Sequence, residues 1–310
     1  GIAPGEREVY KAVLQDLQKG IPLSEAMESK DCFPKLMIGM LRSGEGSGNI
    51  DEITDRLAVQ YEKDYKLTQQ VKSAMTYPCI LLCLCIAIVI LIVTFILPQF
   101  QSLFDQMDSL PWMTSVLIAC SDCLTHRWYI VLIAAFAIVM VCKLIGSIPN
   151  VRRTLDQGKL HIPLFGNLFR VIYTARFART LSSLYASGMP IATSIATASE
   201  TIGNVYVQEQ FDEVVTKVRS GMPLSQALQN VDGLQKKLSS IIQIGEESGR
   251  LDLMLDSIAA TLEDDAEQAT KRMVTLLEPI LIIIMAVIVG FIMLAVMLPI
   301  YQSYAAIENS

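Results

Sequence analysis

The residues best placed to do chemistry in this sequence are acidic. Glu45 lies in Gly44-Glu45-Gly46-Ser47-Gly48, and Glu246 and Glu247 lie side by side in Gly245-Glu246-Glu247-Ser248-Gly249. Paired carboxylates can divide acid and base roles when their surroundings separate their proton affinities. A glycine-rich run can also turn backbone N–H groups toward a phosphate. Neither pattern is completed here. No Gly-x-x-x-x-Gly-Lys-Ser/Thr is present to hold nucleotide phosphates, and no Gly-x-Ser-x-Gly presents a nucleophile. His126 and His161 are the only histidines and are far apart, so a His-rich metal site or a Ser-His or Cys-His pair has no support. Cys120-x-x-Cys123 has metal or redox spacing but lacks a second pair and a strand to carry it. Glu263-Asp264-Asp265 reads as a solvated helix face, with a divalent-cation or basic-partner site as the alternative. No catalytic, cofactor-binding or metal residue is therefore assigned, and the chain reads as a non-enzyme that needs no cofactor.

The same glutamate segment occurs twice, at an offset of 201 residues. That offset carries Gly20-Ile21-Pro22-Leu23-Ser24-Glu25-Ala26-Met27 onto Gly221-Met222-Pro223-Leu224-Ser225-Gln226-Ala227-Leu228, Tyr77-Pro78 onto Glu278-Pro279, and Leu97-Pro98 onto Leu298-Pro299, without a gap. A period this long is not that of a solenoid. It reads as a duplicated domain together with the apolar segment that follows it. The segment around Glu45 and Glu246 then becomes an interhelical corner, with Gly44, Glu45, Gly48, Gly245, Glu246, Glu247 and Gly249 as structural or partner-contact candidates. Asn49 and Glu52 have capping-box spacing, and Ile50, Ile53, Leu57, Tyr61 and Tyr65 mark one face of the helix that follows. Gly-x-Pro at 20–22, 188–190 and 221–223 punctuates helical hairpins. The first copy lacks a counterpart of the helix over 175–199, so the first domain is expected to be N-terminally incomplete.

The chain has 310 residues, a net charge of −6, and 52% hydrophobic against 18% charged residues. This is more apolar than an ordinary soluble domain, and the acidic balance argues against a nucleic-acid partner. Cys79–Leu97 and Ile280–Leu298 are uncharged runs bounded by prolines, long enough to cross the hydrocarbon core as helices. A third run over 128–145 follows Arg127, with Trp128 and Tyr129 as interfacial anchors. Residues 112–124 read as an interfacial or extended helix. Lys63, Lys66 and Lys72 precede the first span, Lys143, Arg152, Arg153 and Lys159 follow the second, and Lys271 and Arg272 precede the third, while 99–126 carries no Lys or Arg. The positive-inside rule then puts both polar regions in the cytoplasm.

The expected architecture is an all-α membrane protein with two duplicated cytoplasmic helical-bundle domains and three transmembrane helices. Its segments are 1–77 (first domain), 78–98 (span), 99–126 (extracytoplasmic connection), 127–147 (span), 148–278 (second domain), 279–299 (span) and 300–310 (extracytoplasmic tail). Arg152–Pro163 reads as a polar linker. Glu278, directly before Pro279, is either a hydrated interfacial residue or a partner for a charge on another span. Cys79, Cys83 and Ala87, and Ala286 with Gly290, recur at intervals of four and are candidates for close helix contacts.

These motifs, in this order and around three spans, resemble the GspF/PilC family, the inner-membrane platform proteins of type II secretion systems and type IV pili. The carriers are Phe177-Ala178-Arg179-Thr180-Leu181, Ser187-Gly188-Met189-Pro190, Asn204, Gly221 to Leu228, Gly245 to Asp252, Glu278-Pro279 and Leu298-Pro299. Gly46 departs from the second Glu of the repeated segment. The resemblance implies six-helix-type cytoplasmic domains that sit against a hexameric assembly ATPase. It further implies contacts with pilins or pseudopilins and other inner-membrane assembly proteins, and a homo-oligomer (dimer or higher). A repeat-built membrane transporter is the alternative, disfavoured because the two matched spans are continuous and uncharged.

Overall fold

A computed structural model describes residues 4–30, 32–100, 112–126, 149–163 and 165–308, with Tyr129, Ile133, Phe136, Ala137 and Met140. The elements are helical, with no strand among the described residues. In chain order they are α1 (Pro4–Gln18), α2 (Leu23–Glu28), α3 (Lys35–Ser47), α4 (Ile50–Leu91) and α5 (Trp112–His126). These are followed by α6 (Pro149–His161), α7 (Phe165–Ala186), α8 (Ile191–Glu200), α9 (Val205–Glu209), α10 (Phe211–Arg219), α11 (Leu224–Leu228), α12 (Lys236–Ser248) and α13 (Leu251–Glu308). The chain divides into two compact units, Gly1–Val71 with Asn150–Thr270, and Lys72–Pro149 with Lys271–Ser310. Both polar repeats fall in the first unit.

In the first unit α7 is the central helix. Phe177, Ala178, Leu181 and Leu184 are fully buried, and Phe177 packs on Phe211 of α10 at 4.6 Å between ring centroids. A helix covered on most of its circumference needs apolar residues all round, and the chain supplies them from Val171 to Leu184. The short helices gather around α7 at Gly-x-Pro turns. Three such turns close with the same bond, from Ile21 N–H to Asp16 O (3.2 Å), Met189 N–H to Leu184 O (3.2 Å) and Met222 N–H to Lys217 O (3.0 Å). Pro22, Pro190 and Pro223 then stand as N-cap residues, just outside the helix they introduce. The segment expected as a linker over 152–163 is mostly helix α6. It is tied down by Asp156, whose carboxylate accepts from Val205 N–H and whose backbone carbonyl accepts from Asn204 Nδ2, both at 3.0 Å. Those partners lie nearly fifty residues away, which is why a polar sequence reads as a linker.

The second unit takes in α4 from Lys72 and α13 from Lys271, and both helices are long and apolar enough to cross a membrane. α4 runs through Pro78 and α13 through Pro279 and Pro299 without ending. Proline removes one helical hydrogen bond, but neighbouring groups can satisfy the freed carbonyl in an apolar helix. Pro78, Pro279 and Pro299, expected to bound the spans, therefore lie inside continuous helices, while Pro98 falls at an irregular end. Past Leu91 the helix widens into a π-helical stretch, Ile92–Ile96, then tightens into a 3₁₀ turn, Leu97–Phe100. α5 packs here. Buried Ser121 donates to Val93 O at 2.8 Å and buried Thr114 to Ala295 O at 2.7 Å. Leu117 lies between them on the same face, within a small core of Val93, Leu97, Ile292 and Ala295. A π turn breaks the regular ladder of backbone bonds, and Ser121 supplies a donor at that point. The segment expected to be an interfacial or extended helix thus has a specific seat on both long apolar helices. The expected span 127–147 lies largely outside the described residues.

Candidate functional site

The repeated glutamates sit in the last turn of a helix. In the second copy, Glu246 Oε1 accepts from Leu224 N–H at 2.5 Å, and Oε2 accepts from Ser225 N–H at 3.2 Å and Ser225 Oγ–H at 2.5 Å. In the first copy, Glu45 accepts from Ser24 N–H at 3.2 Å and from the Ser24 hydroxyl. Each carboxylate is thus the N-terminal cap of the short helix that begins with Leu-Ser, about twenty residues upstream. The first N–H groups of a helix have no partner within it and carry its positive dipole end, so a carboxylate fits them. The proline N-caps of these helices offer no side-chain acceptor. The two repeated motifs are therefore two halves of one joint.

The glycines of the joint have separate tasks. Gly48 and Gly249 end their helices in the left-handed conformation, at φ +75° and +67°, where a Cβ is strained. The carbonyls of Gly44 and Gly245 accept from Asn49 N–H and Arg250 N–H, both at 3.0 Å, which closes the turn. A Cβ on Gly44 would lie 2.9 Å from Ile53 Cγ1, and one on Gly245 2.9 Å from Met254 Cβ. The missing side chain lets α3 and α12 pack directly on the start of α4 and α13. The expected capping box does not form as a reciprocal pair, because Glu52 turns instead to Arg56, at 2.8 Å.

Glu246 has both oxygens occupied by fixed donors and acts as a brace, not as half of an acid–base pair. Glu247 is exposed and, among the described residues, meets its helix neighbour Gln243, at 2.8 Å. The Glu263-Asp264-Asp265 cluster also comes apart. Successive residues on a helix point about 100° apart, so Glu263 turns inward while Asp265 pairs outward with Lys237 at 3.0 Å. Glu263 receives a two-pronged contact from Arg179, Nε to Oε1 at 2.5 Å and Nη2 to Oε2 at 2.8 Å. Arg179 Nη1 also reaches Asp256, at 2.9 Å. Burial opposes the Arg179 charge, but Glu263 and Asp256 outweigh it and hold the guanidinium protonated beyond its ordinary range. The solvated-face reading is thus corrected for Glu263. The signal was available in Phe177-Ala178-Arg179-Thr180-Leu181, where a charge in an otherwise apolar helix demands a buried partner.

Glu278 Oε1 lies 3.5 Å from the hydroxyl of Tyr77, its counterpart in the repeat 201 positions away. Both side chains are exposed. Pro279 lies within α13, and Ala286 and Gly290 are exposed, with nothing within 4 Å of where a Gly290 Cβ would be. Cys79, Cys83 and Ala87 are exposed as well. These small-residue faces make no close contact within the described chain. The contacts between the long apolar helices and α5 use Val93, Leu97, Leu117, Ile292 and Ala295 instead.

The family model described as "Type II secretion system (T2SS), protein F" matches residues 4–98 and 177–299. Among curated proteins, the type IV pilus assembly protein PilC of Thermus thermophilus is 37% identical over 298 residues, covering 96% of this chain and 73% of that protein. The type IV pilus assembly protein TapC of Aeromonas hydrophila is 30% identical over 299 residues, covering 96% and 72%. The type II secretion system protein F of Vibrio cholerae is 30% identical over 301 residues, covering 96% and 74%. Both matched segments contain a glutamate brace, its glycine corner and an apolar helix, and the chain belongs to the type II secretion system protein F family, together with the PilC proteins of type IV pilus assembly.

Proposed function

We propose that the chain is an inner-membrane platform protein of a type IV pilus or type II secretion machine, coupling a hexameric cytoplasmic assembly ATPase to polymerisation of pilin or pseudopilin. The observation that carries this reading is the extent of the family match, which takes in both repeats and both apolar helices. In this reading the two repeats arose by duplication, both are cytoplasmic, and three spans anchor them. ATP-driven motion enters through the charged surface of the repeats and leaves along α4 and α13. Their continuity through Pro78 and Pro279 suits them to pass on a displacement. Glu278 and the small-residue faces at Ala286 and Gly290 meet pilin or a second platform subunit. Glu247, free of the brace, is a candidate for the surface that meets the ATPase.

The test is deletion of the gene in its host, with ATPase and pilin levels followed by immunoblot. Pili or secretion should disappear while both partners persist. Photo-crosslinkers placed in the repeats of the restored full chain should trap the ATPase. Intact pili and intact secretion in the deletion strain would sink the platform reading, and crosslinks that avoid the ATPase would remove the coupling half of it.

A further inference from the structure

Pro98 and Pro299 stand at matched places in the repeat, 201 residues apart, each closing a long apolar run. A proline has no N–H, so it leaves one carbonyl of a helical ladder without its donor. The type of ladder decides which carbonyl that is. α13 is a regular α-helix through Pro299, and an α bond from residue 299 would run four residues back. The carbonyl left over is therefore that of Ala295, and it accepts from Thr114 Oγ1 at 2.7 Å. At the first proline the ladder is π-helical, and Leu97 N–H bonds five residues back, to Ile92 O. The next bond of that series would run from residue 98 to Val93 O, and Pro98 cannot make it. Val93 O accepts from Ser121 Oγ at 2.8 Å.

One helix thus meets both orphaned carbonyls, in two different ladders. Thr114 and Ser121 are buried and lie two turns apart on one face of α5, with Leu117 between them in the small core. The match depends on register. Were Ile92–Ile96 α-helical, as the matched residues 293–297 are, Leu97 N–H would take Val93 O, and Pro98 would free the carbonyl of Thr94, about 100° further round the helix. Ser121 would then face an acceptor already in use. In an apolar setting a freed carbonyl must find another donor, and serine and threonine hydroxyls can serve. We propose that α5 is a clip that fastens α4 and α13 to one another, its Ser121 and Thr114 hydroxyls standing in for the N–H groups that Pro98 and Pro299 lack. The clip is independent of the platform reading.

The test uses the full chain in detergent micelles, with far-UV circular dichroism checking that each variant folds. Unfolding midpoints are read in two double-mutant cycles. Ser121→Ala should lower the midpoint in the parent chain and lower it less in Pro98→Ala, where residue 98 can supply its own N–H to Val93 O. Thr114→Val should behave in the same way with Pro299→Ala. The crossed pairs, Ser121→Ala with Pro299→Ala and Thr114→Val with Pro98→Ala, should be additive. If either hydroxyl costs as much to remove with its matching proline replaced as with it present, the two-point clip is overturned and that hydroxyl is an ordinary buried group. Fastening is read separately, from spin labels on Ile86→Cys and Val287→Cys, two exposed and repeat-matched positions of α4 and α13, in a chain whose seven native cysteines are replaced by alanine. The distance distribution between the labels should broaden when Ser121→Ala and Thr114→Val are combined. An unchanged distribution would show that α5 does not hold the two helices together.

Discussion

Glu246 holds Ser225 by both its backbone and its side chain, accepting the N–H at 3.2 Å and the hydroxyl at 2.5 Å with the same oxygen. Its other oxygen takes the N–H of Leu224. Glu246→Gln should lower stability by about 1–3 kcal/mol, because the replacement offers one acceptor where two were used and leaves partly buried donors unmet. Glu247→Gln should stay within about 0.5 kcal/mol, as expected of an exposed site. Chemical unfolding of the detergent-solubilised chain measures both. Equal losses at the two positions would contradict the assignment of Glu246 as the brace.

The glycines of the two corners give a paired comparison. Gly245→Ala pushes a methyl to within 2.9 Å of Met254 Cβ, and overpacking of this kind costs about 1–3 kcal/mol. Gly46→Ala lies in the same kind of helix end, but its new Cβ meets nothing within 4 Å. That change should be neutral or raise stability by up to about 1 kcal/mol, through helix propensity. Thermal melts should show a clear loss for Gly245→Ala and no loss for Gly46→Ala.

This contrast shows what was legible in the residues themselves. Gly48 and Gly249 mark helix ends by backbone chemistry alone, so the corners could be read from spacing. The partner of Glu246 could not, because Ser225 is 21 residues upstream and nothing local distinguishes a carboxylate that caps a distant helix from one in solvent. The inward turn of Glu263 is hidden for the same reason, since its partner Arg179 is 84 residues away. Pro78 and Pro279 carried the opposite error. Proline is a strong local stop signal, but an apolar helix with neighbours to satisfy its carbonyls runs through it. The seat of α5 on Val93 O depends on a π-helical stretch, which has no sequence signature.

Arg179 should be costly to remove alone and cheap to remove with its partner. Arg179→Met leaves Glu263 buried with only Lys63 nearby, 3.4 Å away, and should cost about 3–5 kcal/mol. Adding Glu263→Leu should recover most of that loss, because two well-packed apolar side chains avoid the desolvation of both charges. A double-mutant cycle by chemical denaturation measures the coupling. Simple additivity of the two losses would rule out a buried pair.

Tyr61 ties stability to alkaline pH. Burial, and then the Asp64 carboxylate, raise its pKa above the ordinary phenol value. A folded-state value above the unfolded one means the contribution is intact below about pH 10, the unfolded value, and is lost as pH rises through the folded value. Tyr61→Phe cannot ionise, so its stability should fall less steeply over that range. Ultraviolet titration should also show a late tyrosinate step that the variant lacks. The same late step in Tyr61→Phe would assign it to another tyrosine.

Glu278 and Tyr77 separate structure from partner binding. Their contact, at 3.5 Å, is at the outer limit of a hydrogen bond, and both groups are exposed, so it should add little to stability. Tyr77→Phe should leave both unfolding and pilus assembly or secretion near normal. Glu278→Ala should also leave unfolding within about 0.5 kcal/mol. If the carboxylate meets a charge on pilin or a second platform subunit, however, assembly should fall sharply. Glu278→Asp should then restore part of the function, since it keeps the charge and shortens the reach. The discriminating measurement is piliation or secretion per cell, normalised to platform protein in the membrane. Normal output from Glu278→Ala at normal protein level would show that the carboxylate has no partner that matters. A loss of output matched by a loss of protein would instead make Glu278 a residue of the fold.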